Sequence, residues 1–535
     1  MRETLGELCL AGAVVAPLLG ATVSAAGGRT PGRGQRVAAG LGWVSALLAL
    51  ATAGLVALRG PLVAAVEVAH GQVLVGLWAN QLTVVLMVLV CVVGAVVQSF
   101  SLRYLQGDRT ARRFFVAANV VVAAMAVVCT SATVTVLVVA WLAAGAAFLV
   151  VLGCRRDLPG VRAATRRAWR MFAAGDLALV AAAIVVWVRD GNVDLVSADA
   201  LQGATLHLGG LTVLVALLVA VAALTRSAQG LLGRWLPGTV SAPTPTSALL
   251  HAGVVNGGGV LLVRLGVLAG GSSLAMVGTF AVAGLTATVA TVVMTHKADV
   301  KGTLVFSTMG QMGFMVAECA VGAYLAAVVH LIGHALYKAT LFFGSGSQVP
   351  RGGVAPVPPA IVVPTLVRAA ATVATTALTV GAMAAIPGVL AHRGAAVLLV
   401  FAAATVATAS WSWWGRPPAS ARLMVTWATA LLVTGTLYGL ALAALGRWVA
   451  PALPAVGAGT LSPWWLAAVA GAGIVAATLT RLPSAKRRLT AILVDAATAP
   501  DSLEARGERE KGGSARIGVA GYTPELAGSW EESAA

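Results

Sequence analysis

Apolar stretches long enough to cross a bilayer recur along this chain from end to end, and nothing else in the sequence constrains its fold as strongly. With 59% hydrophobic and only 10% charged residues among 535, and a mean hydropathy of +0.90, there is too little polar surface to clothe a soluble domain of this size. The chain reads as one all-α polytopic membrane domain, because a helix of about 20 residues crosses the hydrocarbon core. Division at that length gives about fifteen transmembrane helices. The first stretch, residues 5–26, has no clear small-residue cleavage pattern and reads as a retained span.

The formal net charge of +17 invites a nucleic-acid reading, but its distribution excludes one. Basic residues crowd alternate loops: Arg29, Arg33 and Arg36; Arg103, Arg109, Arg112 and Arg113; Arg155, Arg156, Arg162, Arg166, Arg167 and Arg170. Lys297 and Lys301, Arg351, and Arg416 with Arg422 continue the same parity, whereas one opposite loop holds Asp190, Asp194 and Asp199. This is the positive-inside asymmetry of a multi-pass protein of a bacterial inner (plasma) membrane, with its N-terminus outside and its C-terminus cytoplasmic. The membrane lipid is the expected surrounding partner. The five cysteines are scattered, without CxxC spacing, and read as packing residues; no cofactor or metal is expected.

Four regions follow from composition. Residues 1–79 supply N-terminal transmembrane helices, and 80–346 hold nearly every intramembrane polar feature. A Pro/Gly-rich connector at 348–360 opens the region 347–483, whose helices are Ala/Val/Leu-rich and almost uncharged. Residues 484–535 form a polar tail on the cytoplasmic side, too poor in apolar residues to bury a core.

An ionisable side chain at mid-membrane costs about 2.5–3.5 kcal/mol on insertion scales, so each one needs a reason. The candidates are Asp176, Arg226, His251, Glu318 and the stripe His330, His334, Lys338, which falls at i, i+4 and i+8 of "HLIGHALYKATLFFGSG". Two readings of the stripe compete: neutral histidines tying helices together beneath a snorkelling lysine, or a proton relay. A rise of about 1.5 Å per residue puts neighbours roughly 6 Å apart, so a relay needs waters or polar partners between them. Zinc on the HxxxH pair is disfavoured, since no internal glutamate accompanies it and a cation stands beside it. Around Arg226 the helical pattern breaks and resumes at Thr244-Pro245, a hydroxyl cap followed by proline at the first helical position. Either Arg226 faces cytoplasm at a helix end, or it lies at membrane depth beside a broken helix, as in transporters. Asp176 has two candidate partners, the nearby Arg170 or another cation; Glu318 reads either as a residue of the outer interface or as a path member; His251 draws weight from the break beside it. Gly253, Gly257, Gly258 and Gly259 read as a close-packing surface.

The stretches "SFSLRYLQGDRTARRFF", "RMFAAGDLALV", "TRSAQ", "APTPTSALLHAG", "KADVKGTLVFSTMGQMGFM" and "HLIGHALYKATLFFGSG" together resemble the proton-conducting subunit family shared by subunit L of respiratory complex I and multi-subunit cation/proton antiporters. The resemblance implies fourteen or more helices with inverted repeats and broken helices. It places the family's broken-helix lysine on Arg226, its acid after the basic loop on Asp176, the histidine after the Pro-Thr-Pro turn on His251, and its His/His/Lys stripe on His330, His334 and Lys338. Two departures stand out: Leu142 occupies the place of the family's glutamate after Trp141, and no lysine or glutamate occupies the later helices. The C-terminus also leaves no room for the long lateral helix of subunit L. The wording "SALLHAGVVNGGGVLLVR" is most similar to the DabB-type membrane subunits of the DAB inorganic-carbon accumulators. That branch implies a DabA-type soluble, zinc carbonic-anhydrase-like partner that hydrates CO2 to bicarbonate.

The expectation is therefore a subunit that conducts protons, or sodium, to drive inorganic carbon accumulation by that partner, without catalysing a reaction itself. The alternatives are an ion-pumping subunit of a respiratory NADH-quinone oxidoreductase or a cation/proton antiporter, and a scaffold whose channel is dead. Lys338, His334 and His330 are expected to relay, Asp176 and His251 to give continuity, and Arg226 to act as a fixed field.

Overall fold

A computed structural model describes residues 2–26, 32–68, 72–157, 160–196, 198–297, 299–345, 364–391, 394–414, 421–457 and 459–479. The connector at 348–360 and the tail at 484–535 lie outside the described residues, as do Arg29, Arg351 and Arg416.

The helices are α1 (Arg2–Ala26), α2 (Arg33–Arg59), α3 (Gln81–Tyr104), α4 (Ala111–Thr130), α5 (Val134–Leu152), α6 (Val161–Asp190), α7 (Ala198–Leu208), α8 (Thr212–Arg226), α9 (Thr244–Ala252), α10 (Gly257–Arg264), α11 (Gly266–Ala269), α12 (Ser273–Met294), α13 (Val300–Ala320), α14 (Tyr324–Gly344), α15 (Thr365–Ala384), α16 (Ala395–Trp414), α17 (Ala421–Val449) and α18 (Trp465–Leu479). Among the described residues twelve spans are long and apolar enough to cross a membrane. Helix α13 is left out of that number because Gln311 and Glu318 lie within it, although most of its residues are buried.

One addition to the all-α expectation is an antiparallel hairpin between α2 and α3, β1 (Leu62–Val68) and β2 (Gln72–Ala79), with a register shift between Val66 and Glu67. Its second strand hands the chain to α3 through Asn80, whose side chain accepts from the Thr83 N–H at 2.9 Å while Thr83 Oγ1 accepts from the Asn80 N–H at 2.7 Å. This reciprocal cap satisfies two of the helix's unpaired donors. Leu77 also bridges Ser131, and Thr133 bridges Asp194, so the hairpin and two loops close one end of the bundle.

The opposite end gathers the basic loops. Arg155 pairs with Asp108 at 2.8 Å, Arg112 donates to the Ala25 carbonyl, and Lys301 Nζ donates to the Ala242 carbonyl at 3.0 Å. The alternating charge of the sequence is thus a polarity of the folded bundle.

Three breaks interrupt the spans. Gly209, at φ +51°, and a 3-10 turn separate α7 from α8. Helix α8 stops just after Arg226, where Ala228 takes the left-handed conformation at φ +56° and the Gln229 N–H reaches back to the Leu224 carbonyl at 2.8 Å. A residue with a Cβ is held there at a cost of about 1 kcal/mol or more. A 3-10 turn, Val254–Asn256, divides α9 from α10. The expected cap at Thr244 is absent: Thr244 is already helical, Pro243 takes the cap position, and no side-chain cap bond forms. The preceding proline fixes the entry, so the hydroxyl is not needed.

The glycines beyond the break pack closely, as the sequence indicates. A Cβ on Gly258 would stand 2.2 Å from the Ala223 carbonyl oxygen, and one on Gly259 would stand 2.5 Å from Met315. The backbones of α8 and α10 therefore touch, and Ser227 Oγ donates across them to the Val255 carbonyl at 3.1 Å. Such small-residue contact lets helices associate in lipid.

Candidate functional site

Arg226 closes α8 inside the bundle, with 2% of its surface exposed. Its Nη2 donates to Asp176 Oδ1 at 2.8 Å, and its guanidinium lies 4.3 Å from the ring centres of both Trp141 and Phe172. The reading of Arg226 as a helix-end residue facing water is overturned. Trp141 Nε1 donates to the same Oδ1 at 2.8 Å. Asp176 thus has Arg226 as its partner, not Arg170, which stands exposed at the basic end. Leu142, where the resemblance implies a glutamate, is a partly buried residue packed against the core, and the carboxylate at Trp141 comes from Asp176 of α6. Arg226 also carries less field than a bare cation, because an ion pair presents a dipole.

Gly145 and Gly257 make room for this group. A Cβ at Gly145 would stand 2.8 Å from Arg226 Nη2, and one at Gly257 would stand 3.3 Å from Arg226 Cγ and 3.4 Å from Trp141.

The stripe runs along α14, with His334 and Lys338 buried and His330 half-buried. Lys338 is fully buried, and its Nζ donates to the Leu304 carbonyl at 3.2 Å. His334 is buried beside it and lies against the His251 backbone. The rings of His334 and His330 are 6.4 Å apart, which agrees with the spacing of one helical turn. His330 Nδ1 lies 3.0 Å from Glu318 Oε2, and its Nε2 lies 2.9 Å from Gln311 Oε1. Glu318 is fully buried near the end of α13, facing His330 of α14. The turn at Gly322, with φ +70°, folds α14 back along α13 and carries His330 to it.

His251 joins the group from α9. It is fully buried, stacks on Phe342 of α14 at 4.5 Å with an interplanar angle of 12°, and lies within electrostatic reach of Lys338. Neither of its ring nitrogens has a hydrogen-bond partner among the described residues. An unpaired buried polar group costs about 1–3 kcal/mol, so this imidazole is held at a price that packing alone does not explain.

Five of the seven candidate residues that the sequence singles out are buried, Asp176 and His330 are half-buried, and the seven fall into two groups: Arg226 with Asp176, and Glu318, His330, His334, Lys338 with His251. Sequence reasoning missed Gln311, Phe342 and Arg264. Arg264, 6% exposed at the end of α10, donates through Nη2 to the Ser131 carbonyl beneath the hairpin and lies 5.6 Å from the Trp78 ring. Its signal was a cation ending an apolar run directly after the three glycines. No cluster of three or more metal-ligating side chains occurs among the described residues.

Comparison with known proteins places this architecture. Residues 131–415 match the family model "NADH:quinone oxidoreductase/Mrp antiporter, TM", and residues 66–115 match "NADH-Ubiquinone oxidoreductase (complex I), chain 5 N-terminus". The Halothiobacillus neapolitanus protein named "Probable inorganic carbon transporter subunit DabB1" is 36% identical over 282 residues, 51% of this chain and 50% of that relative. The Mycobacterium tuberculosis "NADH-quinone oxidoreductase subunit L" is 30% identical over 281 residues, covering 52% of this chain and 44% of that protein. The matches thus span about half the length of these curated relatives. Among solved structures, the Mrp complex from Dietzia sp. superposes with a TM-score of 0.60 at 26% identity, covering 97% of this chain and 61% of that one. A chain of an archaeal membrane-bound sulfane sulfur reductase, at 15% identity and a TM-score of 0.61 over 87% of this chain and 99% of that one, shares the fold. The matched segment is over half of the chain and contains both polar clusters, so this multi-pass membrane protein belongs to the NADH:quinone oxidoreductase/Mrp antiporter transmembrane family.

Proposed function

We propose that this chain is a proton-conducting subunit, with sodium as the alternative ion, that energises inorganic carbon accumulation by a soluble carbonic-anhydrase-like partner. The single observation carrying the conduction reading is the buried run of titratable groups from Glu318 through His330 and His334 to Lys338 and His251. Ionisable groups gathered from three neighbouring helices into one run are rare within membrane spans and mark ion or proton paths.

His330 has a chemical reason to be the switch point. When Gln311 presents its carbonyl and Glu318 is ionised, both ring nitrogens donate and the ring is a cation. When the Gln311 amide turns to present its NH2, Nε2 accepts and the ring is neutral. Proton arrival is thereby coupled to an amide rotation. From His330 the charge passes to His334 and Lys338 across steps of roughly 6 Å that require bridging water, for which the unpaired nitrogens of His251 provide polar anchors. Arg226 keeps its proton throughout, because a guanidinium paired with a carboxylate does not give up its charge in a protein. It acts instead by position, and the exchange it makes with Asp176 changes the field felt along α9 and α14. The division into a conducting core at 80–346 with flanking helices at 1–79 and 347–483 belongs to this reading.

The partner assignment is supported by the DabB-named relatives, which are 32–36% identical to this chain in Halothiobacillus neapolitanus. The basic end of the bundle would face the cytoplasm, where a soluble partner could dock. Affinity purification from the native membrane tests this. Recovery of one large soluble subunit with bound zinc supports the proposal, whereas a set of quinone-reducing or Mrp-type subunits would replace it with the second reading, favoured by the Dietzia superposition.

A further inference from the structure

Beside the polar path, on the basic end of the bundle, a cavity of about 580 Å³ opens between α5 and α6. It is lined by Leu149 and Val150 from the last turns of α5 and by Arg156, Arg162, Thr165, Arg166 and Trp169 from the loop and the first turns of α6. We propose that this cavity binds the phosphodiester headgroup of an anionic phospholipid, with the arginines on the phosphate and the acyl chains along Leu149, Val150 and Trp169.

Three observations carry the assignment independently of the conduction reading. First, Arg156, Arg162 and Arg166 converge on one cavity, and none of the three forms an ion pair among the described residues, although Arg155 next to them is taken up by Asp108 and Asp157. Three guanidinium groups held together without a carboxylate repel one another, and a bound anion relieves that repulsion. Second, two of them are held in place: Arg162 Nε donates to the Arg156 carbonyl at 3.1 Å, and Arg156 folds back over Gly153, where an added Cβ would stand 3.0 Å from its Nε. Third, the cavity straddles an interface. Leu149 and Val150 belong to a span of mean hydropathy 2.6, and the Trp169 indole is 59% exposed where α6 passes from its basic turns into its apolar length. An exposed indole at that level is an interfacial anchor, and basic pockets between spans at the same level hold lipid headgroups. A free phosphate would use the arginines but not the apolar wall.

The site also touches the machinery of the charge pair. Trp169 lies three residues before Phe172, which stacks on Arg226, and seven before Asp176, about two turns along α6. Headgroup occupancy therefore loads the helix that positions Asp176.

The test is native mass spectrometry of the full chain in neutral detergent, titrated with phosphatidylglycerol, with phosphatidylcholine, and with inorganic phosphate as competitor. The parent should retain phosphatidylglycerol selectively, and the triple variant Arg156→Gln/Arg162→Gln/Arg166→Gln should bind it roughly a hundredfold more weakly. The triple Arg→Lys variant, which keeps the charge but loses the planar fork, should fall between the two. It also guards against a folding artefact in the Gln variant. Arg33→Gln/Arg36→Gln, which removes exposed charge elsewhere at the same end, should bind as the parent does. Equal binding by the parent and the triple Gln variant, equal retention of phosphatidylcholine, or equal loss in the Arg33/Arg36 control would each overturn the site. Displacement of the lipid by equimolar inorganic phosphate would overturn the lipid assignment in favour of a free anion.

Discussion

The pairing of Arg226 with Asp176 yields a double-variant cycle whose magnitudes can be worked in advance. The hydrogen-bonded atoms are 2.8 Å apart, which puts the charge centres about 4 Å apart. At an effective dielectric constant of about 20, that separation gives about 4 kcal/mol of attraction. The Asp176 side chain is 19% exposed, so solvent screens part of this. Arg226→Gln leaves a carboxylate held by the Trp141 N–H alone, and one-sided removal from a buried pair costs about 3–5 kcal/mol. With the screening, we expect a loss near the lower end, about 3 kcal/mol. Asp176→Asn should cost a similar amount, because it leaves a guanidinium between two aromatic rings without its counter-charge. The double variant Arg226→Gln/Asp176→Asn buries a neutral pair and should recover most of the loss, to within about 1 kcal/mol of the parent. Arg226→Lys keeps the ion pair and loses the stacking on Trp141 and Phe172, worth about 1–2 kcal/mol. The assay is denaturant unfolding of purified protein in a mild detergent, followed by tryptophan fluorescence, alongside ion flux in vesicles. In flux, Arg226→Lys should keep much of the activity, and Arg226→Gln should lose most of it with an altered pH optimum. If the double variant is no more stable than Arg226→Gln, the two residues are not coupled and the reasoning fails.

Three further outcomes are expected. Lys338→Ala should abolish coupled function while leaving membrane insertion intact, read as growth rescue under low CO2 in a strain dependent on the system; undiminished rescue removes the stripe from the mechanism. Glu318→Gln should slow flux at least tenfold while the His330→Gln change on the same background adds little, since both act on one hydrogen-bonded unit; additive losses would separate them. Elemental analysis of the subunit freed of its partner should find no stoichiometric zinc, because Glu318 and Gln311 already hold the His330 ring, Lys338 stands beside His334, and no three ligating side chains converge among the described residues; one zinc per chain refutes this.

How far these features were legible depended on their range along the chain. The stripe was visible because His330, His334 and Lys338 share one helix face, a periodicity of four that survives without any tertiary information. Their partners were not, since Glu318 and Gln311 lie on α13 and reach His330 only through the reversal at Gly322. Glu318 was singled out as an ionisable residue with two readings open, and its contact with His330 depends on the hairpin of α13 and α14. Asp176 and Arg226 were each identified, but their pairing spans fifty residues and competed with Arg170 close by in sequence. Arg264 escaped notice because a cation closing an apolar run reads as a helix end, and what covers it comes from the hairpin at Leu62–Ala79, far upstream. The close packing of Gly257, Gly258 and Gly259 was readable, since small residues at consecutive positions in a membrane segment have little other use.

The two polar groups are not independent, because the broken helix α9–α10 touches both. Its α9 half carries His251 against Phe342 and within reach of Lys338, and its α10 half begins at Gly257, in contact with Arg226 and Trp141. Only the 3-10 turn Val254–Asn256 separates them, tied to α8 through Ser227 and the Val255 carbonyl. A continuous helix would spread a displacement at one end along its whole ladder of hydrogen bonds. A short helix on either side of a turn can instead move as a rigid piece, with the turn absorbing the change. Gly145 and Gly257 leave little room for a Cβ beside Arg226, and Gly258 lies on the Ala223 carbonyl, so α8 and α10 are closely packed at the ion pair. An ion pair at Arg226 and Asp176 is compatible with the proposed path, because in that proposal the proton is carried by groups on α14 and the pair contributes only through its field and its contact with α10.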